Sequence, residues 1–309
     1  MNSSFNILIT CAGGPAAVSV IKSLRCSKFK DTIKIVATDQ DPLSAGMQLA
    51  DCNYITPNVD LPNWWDTIES IIKQENINVI LQTGDVDILQ FAQHKYDLAR
   101  LGVSNLIPAA STIRICQDKY VFYSLCKQVY KLPYTSKSDT PPGARNRIIK
   151  PNRGSGSNGI QLIDSPVSVK VDAGYIIQTL LPGKEISVDI LCDSDSNTLN
   201  AVIRERIQTK AGISTKGKII KDSSVFQECM NICKYLNIIG PACIQLKQDK
   251  NNEYRFIEIN PRFGGGLYFS TLAGVNIPEM MLELFSNQQV TINQPNEITV
   301  VRYFEEIII

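Results

Sequence analysis

A lysine at the end of an apolar segment, followed by a glycine–serine loop, is the first feature that could do chemistry. The segment KPNRGSGSNG runs from Lys150 to Gly159, between the predicted strands RIIKP and GIQLID. Glycines let a loop fold closely over phosphates and present its amide hydrogens, and the lysine supplies a positive charge. The same segment is equally typical of a surface β-hairpin. It is not a Walker A loop, because the Gly-Lys-Ser/Thr ending is absent and a strand follows.

Three polar side chains near the C-terminal end of the chain form a second candidate site. Period-two alternation places Glu258 and Asn260 on one face of the predicted strand EYRFIEINP, and Gln245 lies on the preceding strand of the same predicted hairpin. One carboxylate and two amide oxygens suit a Mg²⁺ ion that keeps waters and phosphates as its other ligands. The alternative is a polar, solvated sheet face. Arg262 follows directly and offers a planar guanidinium to a phosphate or carboxylate.

A glycine turn near the N-terminus is the weakest of the candidate sites. Gly13 and Gly14 follow the apolar strand FNILITC and precede a predicted helix, as in a dinucleotide-binding turn. The third small residue of that fingerprint is missing, because Val18 occupies its place. A turn close to substrate and a purely structural turn therefore remain open alternatives. Asp85 ends another predicted strand and is expected to face the crevice where α/β sheets bind ligands.

The overall composition excludes several classes of protein. The 309 residues carry a net charge of +1, which argues against a strongly basic nucleic-acid-binding protein. No apolar run reaches the length of a membrane span, and the N-terminal segment resembles a first strand more than a signal peptide. The nine cysteines are scattered through apolar segments, as expected for reduced thiols. We therefore predict a cytoplasmic protein that binds neither membranes nor nucleic acid.

The elements that must position these residues fall into three blocks. Strands alternate with helices over residues 1–108, which predicts a Rossmann-like parallel sheet covered on both faces. Residues 109–181 contain the helical segment STIRICQDKYVFYSLCKQ and the strands around the glycine–serine loop. Residues 182–309 contain predicted antiparallel hairpins and two further helical segments. The predicted class is thus α/β in the N-terminal domain and α+β in the remainder.

Taken in order along the chain, these motifs resemble the ATP-grasp superfamily, in particular short proteins related to the carbamoyl-phosphate synthetase large subunit. The resemblance rests on ITCAGGPAAVSVIKSL, ATDQDPLSAG, IIKPNRGSGSNGI, QTLLPGKEISVDI, GPACIQL and FIEINPRFGGG. It implies a Rossmann-like domain over residues 1–108, then a two-subdomain ATP-grasp fold: linker helices and a small lid subdomain over residues 109–181, and a larger subdomain over residues 182–309. ATP would lie between two antiparallel sheets.

The resemblance also implies a set of nucleotide-binding residues. Lys119 and Lys150 match the lysines that contact the α- and β-phosphates. The lid loop over the γ-phosphate matches five consecutive residues, Gly154, Ser155, Gly156, Ser157 and Asn158. Gln178 and the backbone of Leu180 match the hinge that contacts adenine, although many relatives carry an acid where Gln178 stands. Glu185 matches the acid that binds the ribose hydroxyls.

The metal ligands and the catalytic residues are implied in the same way. The magnesium ligands match Gln245, Glu258 and Asn260, the first of which is an acid in many relatives. Arg262 matches the arginine that stabilises an acyl-phosphate, and Lys150 is the second residue assigned to catalysis. Substrate contacts are expected near the N-terminal crevice and the GGG turn, from Gly13, Gly14, Asp85, Arg204 and Gly265. For Arg204 a solvated strand face is an equal alternative.

The implied activity is that of an ATP-dependent ligase. It would join a small-molecule carboxylate, with amino acids among the candidates, to an amine or ammonia through an acyl-phosphate, with release of ADP and phosphate. ATP and Mg²⁺ are the expected cofactors, with Mn²⁺ as a substitute for Mg²⁺, and a homodimer is left open. The alternatives are carboxylation or carboxylate kinase chemistry of the carbamoyl-phosphate synthetase type, and a non-catalytic nucleotide-binding module on the same fold.

Overall fold

The structure is a computed structural model that describes residues 4–138, 146–154, 159–164 and 169–309. Ser155, Gly156, Ser157 and Asn158 of the expected lid loop lie outside the described residues. The described strands form three sheets, which we call the N-terminal sheet, the small sheet and the large sheet. Within the described residues, no helix combines the length and the apolar character needed to cross a membrane.

The N-terminal sheet is parallel throughout and has the strand order β3-β2-β1-β4. Its strands are β1 (Phe5–Ile9), β2 (Ile33–Asp39), β3 (Cys52–Ile55) and β4 (Val79–Leu81). The helices that cover it are α1 (Pro15–Arg25), α2 (Ala45–Gln48), α3 (Trp64–Gln74), α4 (Ile88–Gln93) and α5 (Lys95–Arg100). Alternate strand residues are buried against opposite faces, Ile7 beside α1 and Leu8 beside α3. Burial on both faces explains the nearly continuous apolar strands.

The other two sheets are antiparallel and enclose the space between them. The small sheet consists of β5 (Thr135–Ser136), β6 (Arg147–Pro151), β7 (Gln161–Ile163) and β8 (Tyr175–Thr179), in the order β5-β8-β6-β7. The large sheet has the order β13-β12-β9-β10-β11-β14. Its strands are β9 (Glu185–Cys192), β10 (Thr198–Lys210), β11 (Ile213–Ile220), β12 (Gly240–Gln248), β13 (Tyr254–Asn260) and β14 (Thr299–Val301).

The remaining helices are α6 (Ala110–Gln117), α7 (Lys119–Cys126), α8 (Ser223–Tyr235), α9 (Leu267–Leu272) and α10 (Ile277–Phe285). One hydrophobic core joins the N-terminal sheet to the large sheet, because α1 packs against α9 and α10. A second core fills the space between α8 and the opposite face of the large sheet. The large sheet and the N-terminal sheet therefore form a continuous body.

Local structure differs from the sequence-based prediction in a few places. The single helix predicted over STIRICQDKYVFYSLCKQ is two helices, because Asp118 adopts an extended conformation and caps α7 through Val121 N. The predicted strand SNLIPA is reduced to a single bridge between Ser104 and Val79. The short strands β3, β5 and β14 are not predicted from the sequence; β14 in particular depends on pairing with β11, far earlier in the chain. The domain boundaries at 108/109 and 181/182 remain predictions.

Candidate active site

A cavity of about 460 Å³ lies between the small sheet and the large sheet. Most of the expected nucleotide-binding and metal-binding residues line it together, namely Lys119, Lys150, Gly154, Gln178, Leu180, Glu185, Gln245 and Glu258. They reach it from both sheets and from the start of α7, although up to 139 positions separate them along the chain. The sheets thus create one site from residues that the sequence presents as separate motifs.

Two lysines supply the positive charge of the cavity. Lys150 lies on β6 with only 7% of its surface exposed, and burial, reinforced by the nearby ammonium of Lys119, lowers its pKa to about 8 although Glu258 opposes the shift. Lys119 begins α7, and Asn152 ties that helix start to the end of β6 by accepting from Lys119 N at 3.1 Å. Lys119 Nζ donates to Gly154 O at 2.8 Å and lies 3.8 Å from Glu258 Oε2. The two ammonium groups therefore share the cavity with the carboxylates of Glu258 and Glu185.

A second arginine of β10 organises the opposite wall of the cavity. Arg206 on β10 donates through Nη1 to Glu185 Oε1 and to Gln245 Oε1, the latter at 3.3 Å. Its side chain is only 7% exposed, so it does not lie on a solvated strand face. Alternation along the strand places Arg206 on the face of Arg204, but only the packing of the sheets shows that this arginine holds Glu185 and Gln245 in place.

The expected metal ligands meet on the hairpin β12–β13. Gln245 and Glu258 are directly opposite in the antiparallel register, and Asn260 donates from Nδ2 to Glu258 Oε1 at 3.3 Å. Among the described residues, no group of three or more His, Cys, Asp and Glu side chains could hold a metal ion. One carboxylate and two amide oxygens fit a hard cation that completes its shell with water and phosphate oxygens.

The hinge between the two sheets differs from the expectation in one respect. Gln178 is buried, and its Nε2 donates to Thr135 Oγ1 at 2.9 Å. The backbone N–H of Leu180 donates to Asn146 O at 2.9 Å. The Leu180 amide is thus already hydrogen-bonded within the hinge. An adenine ring that accepts a hydrogen bond from this amide must displace the carbonyl of Asn146.

Arg262 and Asp85, each expected to contact substrate, form an ion pair with each other. Arg262 Nε donates to Asp85 Oδ1 at 3.0 Å, and Nη2 donates to Asp85 Oδ2 at 2.6 Å. Arg262 Nη1 also donates to the carbonyl of Phe263. This two-pronged ion pair joins the loop after β4 to the turn after β13. A substrate carboxylate that binds Arg262 therefore competes with Asp85.

Arg204 is buried beneath the glycine turn and does not face solvent. Its side chain is 2% exposed, and Nη2 lies 3.6 Å from Asp189 Oδ2. A Cβ atom on Gly266 would lie 2.3 Å from the guanidinium carbon, so only glycine fits above it. Burial excludes the solvated strand face for Arg204 and makes this residue a support for the turn, while direct substrate contact stays a prediction.

The turn Gly264–Gly266 is also held by an arginine that the sequence motifs did not include. Arg302 Nη2 donates to Gly265 O at 2.5 Å and to Ser19 Oγ at 3.2 Å. Its guanidinium lies 5.1 Å from the ring centre of Phe269. A lone basic residue in the segment VVRYF carries no distinctive spacing, so only the fold identifies it as part of this region.

The N-terminal glycine turn uses its amides internally. Gly13 N donates to Asp39 Oδ2 at 2.7 Å, and Gly14 N donates to Cys11 O at 3.0 Å. A dinucleotide-binding turn needs such amides for the pyrophosphate. This arrangement favours a structural turn beside the carboxylate of Asp39 over a phosphate-binding turn.

Comparison with known proteins agrees with this architecture. A family described as "PylC-like, N-terminal domain" matches residues 7–107, and a family described as "ATP-grasp in the biosynthetic pathway with Ter operon" matches residues 172–307. The chain is 24% identical to a tyramine–L-glutamate ligase of Methanocaldococcus jannaschii over 232 residues, 72% of this chain and 67% of the relative. It is 22% identical to that of Methanocaldococcus fervens over 227 residues, 72% of each chain.

Solved structures with the same fold cover almost the whole chain. The ADP complex of N5-carboxyaminoimidazole ribonucleotide synthetase aligns with a TM-score of 0.73 at 13% identity, covering 96% of this chain and 81% of that one. The L-amino acid ligase from Bacillus licheniformis aligns with a TM-score of 0.65 at 14% identity, covering 91% of this chain and 73% of that one. The two family matches show a PylC-like domain followed by an ATP-grasp domain, and the solved structures share this fold.

Proposed function

We propose that this protein is an ATP-dependent ligase that joins a small-molecule carboxylate to an amine or ammonia. The observation that carries the proposal is the single cavity into which Lys119 and Lys150 face from one side and Gln245 and Glu258 from the other. Such a pairing of cations and metal-type ligands suits a magnesium-bound polyphosphate. Relatives named as tyramine–L-glutamate ligases and a structural neighbour named as an L-amino acid ligase support C–N bond formation.

The nucleotide is assigned to the cavity between the small and large sheets. Lys119 and Lys150 bind the α- and β-phosphates, and Gly154 with the following lid residues 155–158 covers the γ-phosphate. Glu185, held by Arg206, accepts hydrogen bonds from the ribose hydroxyls. Gln178 and the Leu180 segment line the part of the cavity assigned to adenine.

The metal set is assigned to Mg²⁺, with Mn²⁺ as a substitute. Gln245, Glu258 and Asn260 would hold the ion through oxygen atoms, as hard cations prefer. When bound, the ion neutralises charge on the phosphate oxygens. Lys119 Nζ lies 3.8 Å from Glu258 Oε2 and places a positive charge beside the same carboxylate.

The reaction follows from two successive transfers. A carboxylate oxygen forms a bond to the γ-phosphorus while the bridging P–O bond breaks, and ADP leaves. The nitrogen then forms a bond to the carbonyl carbon, the C–O bond to phosphate breaks, and the nitrogen loses a proton. Lys150 offsets the phosphate charge in the first step, and Arg262 binds the acyl-phosphate. Positioning and charge neutralisation supply the catalysis.

The reacting carboxylate is assigned to the space between Arg262 and the turn Gly264–Gly266. Asp85 already binds the guanidinium in the way a substrate carboxylate would. Gly265 lies against Pro15 of α1, so the rest of the substrate has the N-terminal domain as its other wall. We also place the protein in the cytoplasm, which its nine free thiols support.

The test is an ADP-release screen of carboxylates against amines, with ATP and Mg²⁺ present. L-Glutamate with tyramine is the first pair, followed by other amino acids and by ammonia, and mass spectrometry identifies the amide. ADP release that requires both partners supports the ligase. Bicarbonate-dependent release would favour carboxylation, and an acyl-phosphate trapped by hydroxylamine without any amine requirement would favour kinase chemistry. ATP binding without turnover for any pair would favour a nucleotide-binding module. Gel filtration of the same samples tests the homodimer.

A further inference from the structure

A second cavity, which we call the acidic cavity, lies at the carboxyl edge of the N-terminal sheet. Its volume is about 280 Å³. Its carboxylates are Asp39, Asp41 and Asp87, and its described lining residues include no lysine, arginine or histidine. The nucleotide cavity contrasts with it, because lysines and arginines line that space. The two cavities therefore suit ligands of opposite charge.

Asp87 is the buried centre of the acidic cavity. It is 3% exposed, and its Oδ1 has no hydrogen-bond partner among the described residues. Thr10 Oγ1, on the same cavity wall and 1% exposed, also lacks one within the described part of the chain. Burial raises the pKa of Asp87 to about 6. Burying a carboxylate without a cationic partner is costly, and a positive charge in the adjoining cavity would offset this cost.

The lining of the cavity favours an organic cation over a metal ion. Among the described residues, no three His, Cys, Asp or Glu side chains are grouped so that they could hold a metal ion. The remaining walls are formed by threonine hydroxyls and by the apolar side chains of Trp64, Ile68, Val59 and Val86. A primary ammonium group has three donors and no acceptor, which suits several separated oxygens. A small apolar body beside it would contact the apolar walls.

We infer that the acidic cavity binds the primary ammonium group of a substrate of the ligase, an inference that rests on the proposed function. Asp85 pairs with Arg262. Asp87 follows two residues later, so the Cα atoms of Asp85 and Asp87 are at most about 7 Å apart. The cavity and the assigned carboxylate site therefore flank one short loop. The ammonium belongs either to an amino acid whose own carboxylate reaches Arg262 or to the amine that attacks it.

Kinetics of an Asp87→Asn variant test the inference, with Asp60→Asn as the matched control because Asp60 is exposed and outside the cavity. We expect Asp87→Asn to raise the KM of the ammonium-bearing substrate at least tenfold and to leave the KM of ATP within twofold. A rise for the acid partner alone identifies an amino acid as the ligand, and a rise for the amine alone identifies the nucleophile. Unchanged KM values for both partners would overturn the inference.

A binding measurement without ATP separates this inference from the proposed function. Benzylamine and the neutral benzyl alcohol are titrated into the whole protein by calorimetry. We expect wild type and Asp60→Asn to bind benzylamine more tightly than benzyl alcohol, and Asp87→Asn to lose at least tenfold in benzylamine affinity. Equal benzylamine binding by Asp87→Asn and wild type, or none by wild type, refutes the cavity assignment. Asp87-dependent binding in a protein that ligates no pair refutes the ligase and leaves the cation site.

A second variant keeps the test decisive if Asp87→Asn does not fold. Asp41 is exposed, and its carboxylate accepts from Leu43 N at 2.9 Å, a bond that the side-chain oxygen of Asn can replace. We expect Asp41→Asn to weaken benzylamine binding about threefold without changing the melting temperature. Wild-type affinity in this variant would contradict the inference.

Discussion

The substitution Lys150→Met should make the protein more stable and less active at once. Lys150 is 7% exposed on β6, and burial together with Lys119 lowers its pKa to about 8. Methionine keeps most of the length and the apolar contacts of the side chain but removes the charge. A buried charged lysine lowers the stability of the folded protein, but a polyphosphate site requires its positive charge.

The size of the effect follows from the pKa. The fall from the ordinary value of 10.5 to about 8, at about 1.36 kcal/mol per pKa unit, means that the buried ammonium costs about 3 kcal/mol of stability. Below pH 8 the lysine is charged in the folded and unfolded states, and the full cost applies. Between pH 8 and 10.5 the folded protein binds fewer protons, so the stability of wild type rises with pH. Above 10.5 the cost is gone.

We therefore expect Lys150→Met to exceed wild type by up to about 3 kcal/mol in free energy of unfolding at pH 7, and to lose this advantage by pH 10.5. Guanidinium unfolding at both pH values measures the difference, and Lys95→Met, an exposed lysine, is the control. The buried-charge argument would be refuted if Lys150→Met were more stable than wild type by the same amount at both pH values, or if it were less stable than wild type at pH 7.

The same variant should be severely impaired in its use of ATP. Losing a charge-assisted phosphate contact costs about 2–4 kcal/mol in the transition state, or about 30-fold to 1000-fold in kcat/KM. The assay is ADP release with the best substrate pair from the screen, at pH 7 and with saturating Mg²⁺. Unchanged turnover would show that Lys150 is not part of the phosphate site.

Three further substitutions test the metal site, the carboxylate site and the positioning of α7. Glu258→Gln should abolish Mg²⁺-dependent turnover more completely than Gln245→Ala, because Glu258 is the one carboxylate in the proposed set; a metal titration that reverses this order would contradict it. Arg262→Lys keeps the charge but loses the planar fork that holds Asp85, so ligase turnover should fall at least tenfold while ATP affinity changes less than twofold; a parallel loss of both would move the carboxylate site elsewhere. Asp118→Ala removes the cap of α7 and should cost about 1 kcal/mol in thermal unfolding and raise the KM of ATP severalfold, whereas Asp118→Asn should retain both.

Charge is distributed over this protein in a way that the net value of +1 conceals. Cations gather in the nucleotide cavity and around the turn Gly264–Gly266, and carboxylates gather at the edge of the N-terminal sheet. The pair Arg262–Asp85 connects the two regions. A phosphate donor and a cationic substrate would therefore be drawn to different sides of the same reaction centre.

Much of the fold and the core of the candidate site follow from the sequence alone. Strands apolar on both faces predict a covered parallel sheet, and the structure has one. The hairpin β12–β13 is local, so alternation was enough to place Glu258 and Asn260 on one face and Gln245 on the neighbouring strand, whereas the pairing of Gln245 with Glu258 depends on a register shift that only the structure shows. Lys150 at a strand end was identified by its position next to a glycine–serine loop. Short-range periodicity and turn chemistry carry this information because neighbouring residues share one strand or hairpin.

Other features were decided only by the tertiary structure. Arg204 and Arg206 alternate on one strand with the same local pattern, yet one supports a glycine turn and the other holds Glu185. Arg262 meets Asp85 across 177 positions of the chain, and the Leu180 amide is engaged by Asn146. The local spacing of residues does not encode these contacts. They form when separate sheets pack together, because buried polar groups then pair with groups from distant parts of the chain or with a ligand.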